Sequence, residues 1–112
     1  MSMLPSTLSV SDHALRRFRE RVLGATGPCS SARLRLLEPR LRRWLRRFGR
    51  GGVRRGWNPE DGSLILVKGS RALVLRESAL VTIIVADGPR GFSKRWWRRL
   101  ELDGVDGQRA AA

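Results

Sequence analysis

The sequence predicts an α+β domain in which two N-terminal helices pack on a small antiparallel sheet of three to four strands, with a short helix near the C-terminus. Three observations carry this. Residues 63–86, SLILVKGSRALVLRESALVTIIVA, hold the densest apolar and β-branched content of the chain, the composition of strands. Two basic stretches before it repeat apolar residues every three or four positions, the period of a helix buried on one side. The chain has 112 residues, 41% of them hydrophobic, which suits one modest core.

In chain order, Met1–Val10 is a lead in which Leu8 and Val10 either pair as a brief edge strand or tuck against the core. Ser11 is a good helix N-cap and Asp12 puts negative charge in the first turn. In HALRRFRERVL, Ala14, Leu15, Phe18 and Val22 fall on one face, with His13, Arg16, Arg17 and Glu20 on the other side. Gly24 ends that helix, and Gly24–Cys29 forms a loop. Ser30 or Ser31 caps the next helix, where Leu34, Leu37, Leu41, Trp44, Leu45 and Phe48 keep helical spacing. Pro39 lies inside this run without a backbone donor, which predicts a kink or two helices breaking near Glu38. Gly49, Gly51 and Gly52 end it.

Val53–Glu60 begins the sheet, before a turn over Asn58–Gly62. Strands are expected at Ser63–Lys68, Ala72–Arg76 and Leu80–Ala86, joined by hairpins at Gly69-Ser70-Arg71 and Glu77-Ser78-Ala79. Leu64, Leu66 and Lys68 alternate with Ile65 and Val67. Thr82 is the one polar residue of the last strand, which therefore reads as central and partly covered on both faces. Ser93 caps a short helix that docks Trp96, Trp97 and Leu100 and leaves Lys94, Arg95, Arg98 and Arg99 wet. The same segment, like Trp57, is alternatively a platform for unpaired bases. Residues 1–104 then form a single domain, and Val105–Ala112 reads as a disordered tail.

Net charge is +13, and 21 of the 23 basic residues are Arg. Such a chain repels itself, and a polyanion relieves the repulsion; guanidinium forks suit phosphate. Nucleic acid is the leading partner class, RNA in particular, ahead of an acidic antitoxin or immunity protein; no membrane is expected as a partner. Arg40, Arg42, Arg43, Arg46, Arg47 and Arg50 have no acid among them between Pro39 and Gly52. Arg40, Arg43, Arg46, Arg47 and Arg50, with Arg16, Lys68, Lys94, Arg95 and Arg98, are the candidate phosphate contacts.

Cys29 stands alone, so no disulfide or zinc spacing exists, and a reducing cytoplasm is the default. The N-terminus lacks the pattern of a signal peptide, and no apolar run reaches the ~20 residues of a span. The ten acids are scattered, and no phosphate loop, dinucleotide glycine pattern or zincin motif occurs; no metal or cofactor is expected. The chemistry left open is metal-free RNA cleavage, with the substrate's own 2′-hydroxyl as nucleophile. His13 would move the proton, because imidazole ordinarily titrates near neutrality. Arg17, Lys68 and Arg76 would stabilise charge on phosphorus, and Thr82 would bond a phosphate oxygen or position the imidazole. In the plainer reading His13 is an exposed residue, Thr82 fills a half-buried strand site, and Arg76 pairs with Glu77 or Glu20. The basic face then binds nucleic acid without cutting it.

The order of a His-initiated basic helix, a second helix and an antiparallel sheet, with a basic residue on a middle strand and Thr on a late one, resembles the metal-free ribonuclease toxins of the barnase, EndoU, colicin E5/D and RelE-like group. SDHALRRFRERV looks like the first helix of small bacterial and phage proteins in that assemblage. The likeness covers Ser11–Ala86 in element order, and Ser11–Val22 with Ala72–Ala86 at residue level. It implies a site of His13, Arg17 (or Arg16), Arg76 and Thr82, with Lys68 as an addition. The chain differs in its Pro-interrupted second helix and in having no Tyr, a residue RelE-like members often use. The expected functions are a metal-free endoribonuclease of toxin or phage-effector type, leaving a 2′,3′-cyclic phosphate, or a non-catalytic nucleic-acid-binding protein that modulates transcription or translation.

Overall fold

The computed structural model describes residues 8–88 and 90–102; the expected tail, Val105–Ala112, lies outside them. The fold is α+β. The elements run β1 (Ser9–Val10), α1 (Asp12–Arg21), α2 (Ser31–Arg35), α3 (Glu38–Phe48), β2 (Arg54–Trp57), β3 (Leu64–Lys68), β4 (Arg71–Arg76), β5 (Ala79–Val85), α4 (Lys94–Trp97) and β6 (Glu101–Leu102). The six strands form one sheet in the order β1-β5-β4-β3-β2-β6.

The element counts are corrected: the sheet has six strands where three to four were expected, and three helices in place of two precede the antiparallel strands, because the chain breaks between Arg35 and Glu38, one of the two outcomes expected at Pro39. Pro39 thereby falls in the first turn of α3, where its missing N–H has no intrahelical partner to lose. The break leaves Leu36 77% exposed. The sheet is mixed, since β1 runs parallel to β5 through Ser9–Ala79 and Val10–Leu80, while every other pairing is antiparallel. A two-residue strand carries too little periodicity to show its direction.

α1 forms where the sequence places it. The Ser11 hydroxyl accepts from the Ala14 amide, and Ala14, Leu15 and Phe18 are buried. Gly24, at φ +72°, takes the left-handed turn that closes the helix end. On the sheet, Leu66, Leu73, Leu75, Leu80 and Ile83 form one core with Leu15, Phe18, Leu34, Leu41, Leu45 and Phe48 of the helices. Each such side chain, fully buried, contributes about 1.5–3 kcal/mol.

The opposite sheet face carries Ile65, Val67, Ala72 and Val74, against which Phe92, Trp96, Trp97 and Leu100 pack. Strand alternation produces this division. The C-terminal segment thus docks on the sheet: Phe92 stacks on Trp96 at 4.0 Å, Trp96 meets Trp97 edge-on at 5.2 Å, and the Arg54 guanidinium lies 4.3 Å from the Trp97 ring centre.

Candidate nucleic-acid interface

The arginines fall into two groups. The first is anchored within the fold. Arg21 donates to the Ile83 carbonyl at 2.6 Å, Arg35 to Val10 at 2.8 Å and Arg42 to Leu8 at 2.8 Å. Arg19 donates to the Gly27 carbonyl. Ion pairs hold Arg17 to Glu20, Arg35 to both Asp12 and Glu38, Arg42 to Glu38 and Arg76 to Asp61. The Arg42 guanidinium holds the Glu38 carboxyl below its ordinary value; partial burial opposes this and Arg35 adds to it.

The second group faces solvent. Arg40, Arg43, Arg46, Arg47 and Arg50 are exposed. Their spacing places them on the side of α3, and just past its end, opposite Leu41, Leu45 and Phe48. Among the described residues no ion pair reaches any of the five. Glu38 is the one acid of α3, and it is already shared by Arg35 and Arg42. A hollow of about 500 Å³ opens at the start of this stripe, lined by Arg35, Glu38, Pro39, Arg42, Arg43 and Arg46. Lys94, Arg95 and Arg98, around α4, are also exposed.

Of the residues expected in a catalytic site, Arg76 and Thr82 share one sheet face. Thr82 is the register partner of Val74, which belongs to the face covered by the C-terminal segment, and Arg76 follows Val74 by two. Thr82 is half-buried. Arg76 is bound to neither Glu77 nor Glu20 but to Asp61 Oδ2, at 2.6 Å. The Ser63 hydroxyl and amide also donate to Asp61, and with Arg76 they hold its carboxyl below the ordinary value.

His13 and Arg17 belong to α1, which packs on the other face. α1 also runs beside β5: the Ser11 hydroxyl donates to the Val81 carbonyl at 3.1 Å, and Arg21 reaches Ile83. The His13, Arg17 and Arg21 stripe, at four-residue spacing, therefore borders the β5 edge where Thr82 lies. His13 is exposed and Arg16 half-buried. Among the described residues no hydrogen bond or ion pair joins any two of His13, Arg17, Arg76 and Thr82. His13 and Arg17 thus stand on α1, and Arg76 and Thr82 on the sheet face away from it.

Lys68 stands apart from them. Its Nζ lies 3.4 Å from the carbonyl oxygens of Arg47 and Phe48, where the C-terminal end of α3 favours a cation. Its register partner is Arg71, the first residue of β4, where the sequence reads as turn. The β3–β4 turn is the two residues Gly69-Ser70, with Gly69 at φ +61°. A Gly in the first place of a two-residue hairpin was the available signal.

Among the described residues no three His, Cys, Asp or Glu side chains gather as a metal set, and no helix is long and apolar enough to cross a membrane. Comparison with protein-family models, curated proteins and solved structures returns no match.

Proposed function

We propose that this domain binds nucleic acid through the arginine stripe of α3. The observation that carries the proposal is the division of the arginines: five on one helix side, Arg40, Arg43, Arg46, Arg47 and Arg50, lack a carboxylate, whereas Arg17, Arg19, Arg21, Arg35, Arg42 and Arg76 are neutralised or hydrogen-bonded within the fold. A cationic row left uncompensated raises the fold's self-repulsion, and phosphates at ordinary backbone spacing relieve it. The role in view is that of a non-catalytic modulator of transcription or translation.

A second reading, the metal-free endoribonuclease, is favoured by the α1 stripe beside Thr82. There a phosphodiester straddling the β5 edge meets an unpartnered imidazole, a guanidinium released from Glu20 and a hydroxyl. One experiment addresses both. Labelled RNA, single-stranded and structured, is incubated in EDTA with the wild-type protein and with His13→Ala, and both binding and chain length are read. Salt-sensitive binding with intact RNA in both proteins is the expected result. Cleavage in EDTA that disappears in the variant transfers the proposal to the enzyme. Absence of any binding at physiological salt refutes both and leaves an acidic protein as the partner to seek.

A further inference from the structure

We infer that the hollow between the C-terminal end of α3 and the β3–β4 hairpin holds one nucleotide of a single strand. Arg47, Lys68 and Arg71 take its phosphate, and Trp44 provides the wall for its base. This rests on the nucleic-acid reading above and gives that reading a defined subsite.

The hollow measures about 240 Å³ and is lined by Trp44, Arg47, Phe48, Lys68 and Arg71. Its lining has three cations from three elements, Arg47 of α3, Lys68 of β3 and Arg71 of β4, and no carboxylate. Lys68 and Arg71 are direct register partners, so their side chains leave the hairpin on the same face, toward the helices. Like charges directly opposite each other across a pair of strands destabilise it, yet the fold keeps them there without an acid. Lys68 is moreover held by the α3 carbonyls at 3.4 Å, which keeps its charge over the hollow. An anion is the occupant that removes this repulsion.

The lining also discriminates among anions. Trp44 is half-buried and braced by Phe18 at 5.7 Å and Phe48 at 5.3 Å between ring centres. A braced indole beside a phosphate cradle suits an unstacked base, which a single strand offers and a duplex does not. The volume is below the roughly 300–1,000 Å³ of ordinary small-molecule pockets, so the hollow encloses at most part of one nucleotide and the rest of the strand stays outside it.

The test follows the indole N–H resonances of the four tryptophans by NMR, assigned by triple-resonance spectra. A 5′-phosphorylated single-stranded oligonucleotide, a duplex of equal length and inorganic phosphate are titrated in turn. The expected result is a shift of the Trp44 signal by the single strand, a smaller one by phosphate, and none by the duplex. Lys68→Gln/Arg71→Gln, with its fold checked by the same spectrum, should abolish the Trp44 shift. It should also weaken single-strand binding about tenfold, the loss of charged hydrogen bonds to phosphate. Binding that leaves Trp44 unmoved overturns the subsite while the α3 reading stands. An equal shift with duplex overturns the single-nucleotide assignment. No binding of any nucleic acid overturns the function and the subsite together.

Discussion

The Arg21 guanidinium donates to the Ile83 main-chain oxygen at 2.6 Å, joining the last turn of α1 to the edge of β5. β1 pairs with β5 only at Ala79 and Leu80, so later carbonyls on that edge lack a strand partner. The Ser11 hydroxyl takes Val81 and Arg21 takes Ile83. One strand further out, Arg35 and Arg42 take Val10 and Leu8. Open sheet edges invite pairing with other chains, and here long cationic side chains close one.

Arg21→Ala should therefore behave as a structural lesion. It removes a charged hydrogen bond to a main-chain carbonyl, a loss of about 1.5 kcal/mol, or roughly 8 °C in a domain of this size. Arg43→Ala, on the free face of α3, should stay within about 0.5 kcal/mol of wild type. Thermal unfolding by circular dichroism measures both. Equal midpoints for the two variants would contradict the division of the arginines.

The β4–β5 turn offers a gain. Glu77 and Ser78 sit at φ +52° and +63°, left-handed values that cost a residue with a Cβ roughly 1–2 kcal/mol. The geometry is that of a two-residue hairpin turn made for Asn-Gly. The double variant Glu77→Asn/Ser78→Gly should raise stability by about 1 kcal/mol and lift the melting temperature. An unchanged or lower midpoint in thermal denaturation would argue that Glu77 or Ser78 contributes something that the turn geometry does not show.

Stability should fall in acid, and the sign follows from two carboxylates. Asp61 is held below its ordinary value by Ser63 first and Arg76 after it, and Glu38 by Arg42 and Arg35. A carboxyl lowered in the folded state stabilises fully above its unfolded pKa, and that contribution is lost as pH falls through the folded one. The melting temperature should therefore be flat above about pH 5 and drop below about pH 4. Asp61→Asn should flatten part of that drop. A variant whose acid limb overlays wild type would show that the Ser63–Asp61–Arg76 latch contributes nothing to the fold.

The fold was legible where a residue's own chemistry determines its place. Ser11, Ser30 and Ser93 cap helices, and Leu64–Lys68 alternates between two faces as its pattern implies. Illegible were features that depend on distant partners. The parallel direction of β1 depends on where β5 lies. Pro39 could equally kink one helix or start another, and the break between Arg35 and Glu38 depends on how both halves meet the core. The candidate site suffered most. Nothing near Arg76 in sequence points to Asp61, and charge alone cannot tell Arg42, spent on Glu38 and Leu8, from Arg43, which is free. Arg71 reads as turn beside Gly69-Ser70, and only its pairing with Lys68 makes it strand.

The same division gives a prediction in the other direction. For a single strand, log K should fall with log salt at a slope of about −0.7 per phosphate neutralised. Replacing Arg40, Arg43 and Arg46 by Gln removes three uncompensated cations and should reduce the slope's magnitude by about 2, with the melting temperature nearly unchanged. Arg21→Ala removes one cation of the same kind, but its guanidinium is committed to Ile83, so it should lower the melting temperature and leave the slope alone. Fluorescence anisotropy at several salt concentrations measures the slope. If the Arg21 variant lost as much slope per charge as the triple variant, the domain would be binding through net charge spread over its surface, and the α3 stripe would have no special standing.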